Sequence, residues 1–252
     1  MQPKLTLVGA GPGDGELITL KGIRALQQAD VVLYDDLVND SLLDFAPDYA
    51  LKMYVGKRAG QLSFTQDEIN TLIVRLAQEH GHVVRLKGGD PYVFGRGYEE
   101  YAYVRQYGIA CELVPGVSSS IAVPASQGIP VTSRGVSESF WVITGTTRQG
   151  ELSDDLQLAV QSKATVVILM GLNKLDQICA LYEQAGRGHL PMAVVQNGTR
   201  PDEQCVVGQV CTMPQLVAEQ GVGAPAVLII GEVVSLHPSY LAECLRATVC
   251  RF

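Results

Sequence analysis

Val83-Val-Arg-Leu-Lys-Gly-Gly-Asp-Pro-Tyr-Val-Phe-Gly-Arg-Gly-Tyr-Glu-Glu100 is the stretch on which the reading of this chain turns. A short apolar strand, Val83 to Leu86, runs directly into a lysine, two glycines and an aspartate. Pro91 marks a turn, Arg96 sits between glycines, and the pattern predicts a helix over roughly 98–107. Loops beyond the carboxyl ends of buried strands are where α/β proteins keep their chemistry, so this mix of charge and bare backbone reads as a binding site.

The same rhythm extends in both directions. Leu5–Val8 predicts a first strand that ends in Gly9-Ala-Gly-Pro-Gly-Asp14, and Val31–Tyr34 a second that ends at Asp35. Leu51–Val55 follows, ended by Gly56-Lys-Arg58. Thr65 and Glu68 have capping-box spacing ahead of an apolar helical stripe, Ile69, Leu72, Ile73 and Leu76, which stops at Gly81. Cys111–Val114 predicts a fifth strand, followed by Ser118–Ser120. Beyond the Gly128–Gly135 interruption, strands are expected at 140–144, 165–170, 193–196, 205–207 and 226–230. Helices are expected near 154–161 and 172–185, with a terminal one from Ser239. Strands alternating with helices imply two α/β domains, 1–130 and 136–252, joined near 128–136, each with a mostly parallel sheet flanked by helices. The loops after the first five strands are expected to converge on one crevice.

Composition narrows the function classes. The chain has 252 residues, 47% of them hydrophobic and 18% charged, enough apolar material for packed cores. The longest largely apolar runs, Ala164–Met170 and Ala224–Ile230, fall far short of the ~20 residues of a membrane helix. Residues 1–15 lack a basic start followed by an apolar block, so a cytoplasmic protein with no membrane partner is expected. Net charge is −7, which argues against a nucleic-acid partner. Residues 52–148 alone are net positive, with ten cations against eight acids, and Lys57, Arg58, Lys87 and Arg96 stand beside or near glycines. That distribution suits a small polyanion. The six cysteines include no Cys-x-x-Cys and the four histidines no helical ligand pair, so no metal site is expected.

Each motif carries a bland alternative. Gly9-Ala-Gly-Pro-Gly-Asp14, with Asp35 beyond it, invites a dinucleotide reading. Asp14 stands where that motif wants a third glycine, and Pro12 removes a backbone N–H where a pyrophosphate needs one. A Walker A loop is absent. Gly88-Gly89-Asp90-Pro91 reads as a ligand-facing loop or as a tight turn capped by Asp90. Ser118–Ser120 read as a helix start, a pocket lining, or both.

At this point the sequence resembles a family. Val8–Asp14, Ala29-Asp-Val-Val-Leu-Tyr-Asp35, Val55–Arg58, Val84–Pro91, Val114-Pro-Gly-Val117, Gly128-Ile-Pro130, Met170-Gly171, Asn197-Gly-Thr199 and Ile230–Val234 are similar, in order, to the uroporphyrinogen-III C-methyltransferases of the tetrapyrrole methylase superfamily. The resemblance covers nearly the whole chain and corresponds to the methyltransferase unit alone. It implies a homodimer that binds S-adenosylmethionine (SAM) in a cleft between its two domains and releases S-adenosylhomocysteine (SAH). Uroporphyrinogen III, a tetrapyrrole with eight carboxylates, would be methylated at C2 and then C7 to precorrin-2. Carried over by motif, Pro12, Gly88, Gly89, Asp90, Val93, Ser118, Ser119, Met170 and Gly198 would hold SAM. Asp35 would accept a proton and Lys57 would donate one, the bland reading of Asp35 being a helix cap. Arg96 and Arg134 are the candidates for substrate carboxylates. Ser118-Ser119, Tyr98, Val123–Ser126, Ser133 and Thr146 depart from the family's commoner residues. The rival expectations are a precorrin-type or diphthine-type methylase of the same superfamily, a nicotinamide-dependent oxidoreductase, and a ligand-binding regulator without turnover.

Overall fold

Runs of β-branched and aliphatic residues become strands wherever both neighbours can cover them: Lys4–Gly9 (β1), Val31–Tyr34 (β2), Leu51–Tyr54 (β3), His82–Lys87 (β4) and Ala110–Val114 (β5). The computed structural model describes residues 2–56 and 64–240. Lys57, Arg58 and the helix expected after Ser239 therefore lie, wholly or beyond Tyr240, outside the described residues. The chain divides into two units, Met1–Ser118 and Ser119–Phe252.

The first unit is a five-stranded sheet of order β3-β2-β4-β1-β5, parallel throughout. β1 and β4 lie at its middle and are buried at all but their first positions, as expected of strands covered on both faces. Leu20–Gln27 (α1) starts at Thr19, whose hydroxyl accepts from the Gly22 N–H. Gln66–His80 (α2) starts with the expected capping box, Thr65 and Glu68 exchanging bonds, and Gly97–Arg105 (α3) follows β4. The sheet's two faces are covered by different elements. Leu26 of α1 packs with Val8, Val32, Val84 and Leu86; Ile69, Leu72, Ile73 and Leu76 of α2 and Val104 of α3 pack with Leu5, Leu7, Leu33 and Val83. The chain thus leaves β1 toward one face and β4 toward the other. These adjacent strands form the switch point at which open parallel sheets bind ligands.

The second unit holds Ser119–Ser126 (α4), Asp155–Gln161 (α5), Leu175–Gln184 (α6) and Met213–Gln220 (α7). Its strands are Phe140–Thr144 (β6), Thr165–Leu169 (β7), Pro191–Gln196 (β8), Gln204–Gln209 (β9) and Ala226–Ile230 (β10). They form a sheet of order β6-β7-β10-β8-β9. Both units are α/β, but the expectation of a mostly parallel sheet holds only for the first. Here β6 and β7 pair in parallel, and β7 with β10, β10 with β8 and β8 with β9 pair antiparallel. The short 197–203 connection explains one of these, because a hairpin can be that short and a parallel crossover cannot.

The boundary at Ser118 also precedes the expected linker at 128–136. Val123 and Ile129 are buried with Val167, Val195 and Ile229, so α4 and the glycine-flanked segment belong to the second core. No helix among the described residues is long and apolar enough to cross a membrane.

Candidate active site

At the carboxyl ends of β4, β1 and β5 three glycines meet backbone to backbone. A Cβ on Gly9 would lie 2.4 Å from the Gly116 nitrogen and 2.7 Å from the Gly89 oxygen, and one on Gly116 would lie 2.4 Å from that same oxygen. Gly11 and Gly89 exchange hydrogen bonds of 3.2 and 2.7 Å, and the Ala10 N–H donates to the Lys87 carbonyl. Gly89 has φ +63°, and Gly88 is needed by Leu37, whose Cβ would stand 2.5 Å from an added one. Internal packing therefore accounts for both glycines of the central motif.

Asp90 is half-buried above this floor. One carboxylate oxygen accepts from the Tyr92 N–H at 2.8 Å and the other from the Gly116 N–H at 3.1 Å. The capping role is thus present, and each oxygen keeps acceptor capacity. Pro12 lies in the loop after β1. Asp14 beyond it caps a short 3₁₀ turn by accepting from the Glu16 N–H. Buried Ser118 closes the first unit after β5, and Val93 follows Asp90, its N–H donating to the Asp90 carbonyl.

These facts decide between ligand classes. A pyrophosphate needs free backbone N–H donors at this crevice. Those of Gly11, Gly89 and Gly116 are spent inside the protein, Pro12 has none, and Asp14 occupies the helix start. What the crevice offers is acceptors, which fits the hydroxyls and ammonium of SAM and disfavours a dinucleotide.

Beneath the rim lies a buried charge cluster that the sequence reading missed. Arg85 and Lys87 alternate with apolar residues on β4, so both side chains leave the same face of the sheet. Glu100, in the first turn of α3, is fully buried between them and accepts on one oxygen from Lys87 at 2.9 Å, Gln66 at 3.1 Å and Arg85 at 3.4 Å. Arg85 also donates to the Leu33 and Leu86 carbonyls and to Asp35 at 3.1 Å. Burial, then Arg85, push the Lys87 ammonium's pKa down. Burial opposes ionisation of Glu100, yet Arg85 and Lys87 hold its carboxyl below the usual range. Lys87 is therefore an internal cation, and the expectation that it helps form a polyanion pocket is corrected. The signal for this cluster was legible: two cations two residues apart in an otherwise apolar strand.

Asp35, just after β2, is about one-quarter exposed. Its second oxygen contact comes from the Leu37 N–H at 3.3 Å, so it is both a turn cap and the upper end of the buried cluster. Arg96 stands on the surface and grips Glu99 through two bonds of 2.7 and 2.8 Å. Tyr98 stacks on Tyr101 and meets Tyr92 edge-on, which gives that departure from the family pattern a packing role.

In the second unit Ser119 opens α4, Met170 follows β7 and Gly198 follows β8. A Cβ on Gly198 would strike Val123 of α4 at 2.5 Å. Glu203 ties the two segments together: it accepts from the Thr199 N–H, the Ser126 hydroxyl and the Gln127 amide. The Thr146 hydroxyl donates to the Met170 carbonyl at 3.0 Å. Arg134 is exposed at a turn closed by Ser133 and Ser137.

Among the described residues, five non-glycines have positive φ: Phe94, Arg96, Met170, Asn197 and Thr199. Every one lies in or beside a strand-end loop that carries an expected site residue. Such strain costs about 1–3 kcal/mol each and persists at functional sites.

Residues 4–214 match the family model Tetrapyrrole (Corrin/Porphyrin) Methylases. The chain belongs to the tetrapyrrole methylase family. It is 43% identical over 241 residues to uroporphyrinogen-III C-methyltransferase of Methanocaldococcus jannaschii, covering 95% of this chain and 100% of that one. It is 46% identical to siroheme synthase 1 of Pectobacterium atrosepticum, but spans only 48% of that protein. Among solved structures, uroporphyrin-III C-methyl transferase from Thermus thermophilus, in complex with S-adenosyl homocysteine, superposes with a TM-score of 0.78. It is 40% identical and covers 92% of this chain and 99% of that one. Within this methylase, the first unit brings together Pro12, Gly88, Gly89, Asp90 and Ser118, and the second joins Gly198 to α4. Lys57 lies outside the described residues.

Proposed function

We propose that this methylase transfers methyl groups from SAM to uroporphyrinogen III, first at C2 and then at C7, giving precorrin-2. The reading is carried by the likeness to uroporphyrinogen-III C-methyltransferase of Methanocaldococcus jannaschii, matched over 100% of its length, whereas the chain spans about half of siroheme synthase 1. The acceptor-rich crevice at β1 and β4 supports SAM as the methyl donor.

SAM supplies an activated sulfonium methyl, and the protein's task is to hold a pyrrole carbon in line behind it. Pro12, Gly88, Gly89, Asp90, Val93, Ser118, Ser119, Met170 and Gly198 hold the donor. Asp90 accepts from its hydroxyls or ammonium. Each methylation leaves a cationic ring that must lose one proton; Asp35 accepts it and passes it to solvent, while Lys57, as proton donor, moves protons between ring positions with no net uptake. Arg96 and Arg134 bind substrate carboxylates, Arg96 by exchanging Glu99 for one of them. The enzyme works as a homodimer in the cytoplasm.

Incubation of the protein with uroporphyrinogen III and isotopically labelled SAM, followed by mass spectrometry, tests the assignment. Two transferred methyls are expected. No transfer to uroporphyrinogen III, with transfer to a precorrin instead, moves the enzyme to the precorrin branch of the family.

A further inference from the structure

We infer that Arg85 is a positioning residue for the methyl-transfer reaction, holding the Asp35 carboxylate from below while Glu100 holds Arg85. The inference rests on the reading of Asp35 as the proton acceptor.

Arg85 is 3% exposed and donates four ways at once: to Glu100, to the Leu33 and Leu86 carbonyls, and to Asp35. A planar guanidinium held by three bonds through two of its nitrogens, Nε and Nη1, has one orientation available, so its remaining nitrogen, Nη2, presents a fixed donor to Asp35. Asp35 itself sits in a turn after a strand, where a short side chain would otherwise sample several rotamers. The Leu37 N–H takes its first oxygen and Arg85 its second, which leaves each oxygen of this one-quarter exposed side chain with further acceptor capacity.

The lower half of the cluster suits that task better than simple stability does. Glu100 meets both Arg85 and Lys87 through a single oxygen, the second balancing charge coming from Asp35, and its other oxygen has no hydrogen-bond partner among the described residues although it is buried. Buried charges linked in this way cost desolvation and are often no more stabilising than an apolar core. Here they hold one rigid cation against the one carboxylate that reaches the surface. The arrangement runs from core to rim: Gln66 and Lys87 to Glu100, Glu100 to Arg85, Arg85 to Asp35.

A double-mutant cycle tests this. Arg85→Gln is expected to lower kcat about 10- to 100-fold, the scale of a misplaced catalytic group, with SAH affinity by calorimetry unchanged. In an Asp35→Ala background the same substitution is expected to lower kcat no further. Equal losses in both backgrounds would mean that Arg85 acts through folding alone and would overturn the inference. If Arg85→Gln fails to fold, Arg85→Lys keeps the buried charge without the fork and enters the same cycle with the same expected pattern. A crystal structure of the variant gives a readout independent of turnover. An Asp35 carboxylate still in its wild-type orientation overturns the inference, even if the wild type proves to act on another tetrapyrrole. Loss of wild-type transfer to uroporphyrinogen III overturns only the substrate assignment.

Discussion

Asp90, proposed above to hold the methyl donor, also serves the fold. Its carboxylate accepts the N–H groups of Tyr92 and Gly116, and so fastens the loop after β4 to the loop after β5. Hydrogen bonds to a charged group are each worth about 1.5–3 kcal/mol. Asp90→Ala is therefore expected to lower the melting temperature and to weaken SAH binding at least tenfold by calorimetry. A lowered melting temperature with unchanged affinity would leave Asp90 as a structural cap alone. Residues of this kind were legible in the sequence because a charged group beside glycines at a strand end is conspicuous. Arg85 and Glu100 were less so, since the sequence does not show which helix will deliver a carboxylate to which strand. The Gly-Gly pair was read as a feature for ligand approach, and close contacts with Leu37, Gly9 and Gly116 give it a packing role as well.

Single ion pairs can also clamp whole elements. Glu112 on β5 bonds Lys21 of α1 at 2.6 Å and Lys4 of β1 at 2.9 Å, tying an outer strand to the centre of the first unit. Those two lysines lower its pKa from the ordinary 4.5 to about 2. A carboxyl with a depressed folded-state pKa binds fewer protons in the fold than in the unfolded chain, so the stability it contributes is complete above about pH 4.5. That contribution drains away as the pH falls toward about 2. The gap in stability between the wild type and Glu112→Gln should therefore be constant above pH 5 and close in acid, measured by urea unfolding. A gap independent of pH would show that the pair does not matter. Element positions were largely readable: Val31–Tyr34, Phe140–Thr144 and Ala226–Ile230 form where β-branched runs predict them. Strand direction in the second unit was not, because alternation marks a strand without saying which way its neighbour runs. α7 was missed for a related reason, since Pro214 near its start reads as a loop until the turn before it is seen.

Across the whole molecule, charge is sorted by depth. The net charge is −7, and of the cations in the one positive stretch of sequence, Arg85 and Lys87 are spent internally on Glu100 and Asp35. Surface cations such as Arg96 and Arg134 are the ones proposed to meet a substrate with eight carboxylates. Their attraction is screened by salt. The KM for uroporphyrinogen III is accordingly expected to rise several-fold between about 0.05 and about 0.5 M salt, with SAM affinity much less affected; equal salt dependence of both would contradict this sorting. The unit boundary was the least readable large-scale feature. Gly128–Gly135 has the composition of a linker, yet Ile129 is fully buried in the second core, and composition does not report burial. The contact of Gly9, Gly89 and Gly116 also bears on how the protein can be redesigned. With bare backbone on three neighbouring strand ends there is no position in that floor where a side chain can be introduced. A library aimed at new tetrapyrrole substrates would do better to leave those codons, and the crowded Gly95 and Gly97, fixed and to randomise the exposed positions Tyr92, Phe94, Tyr98 and Arg134.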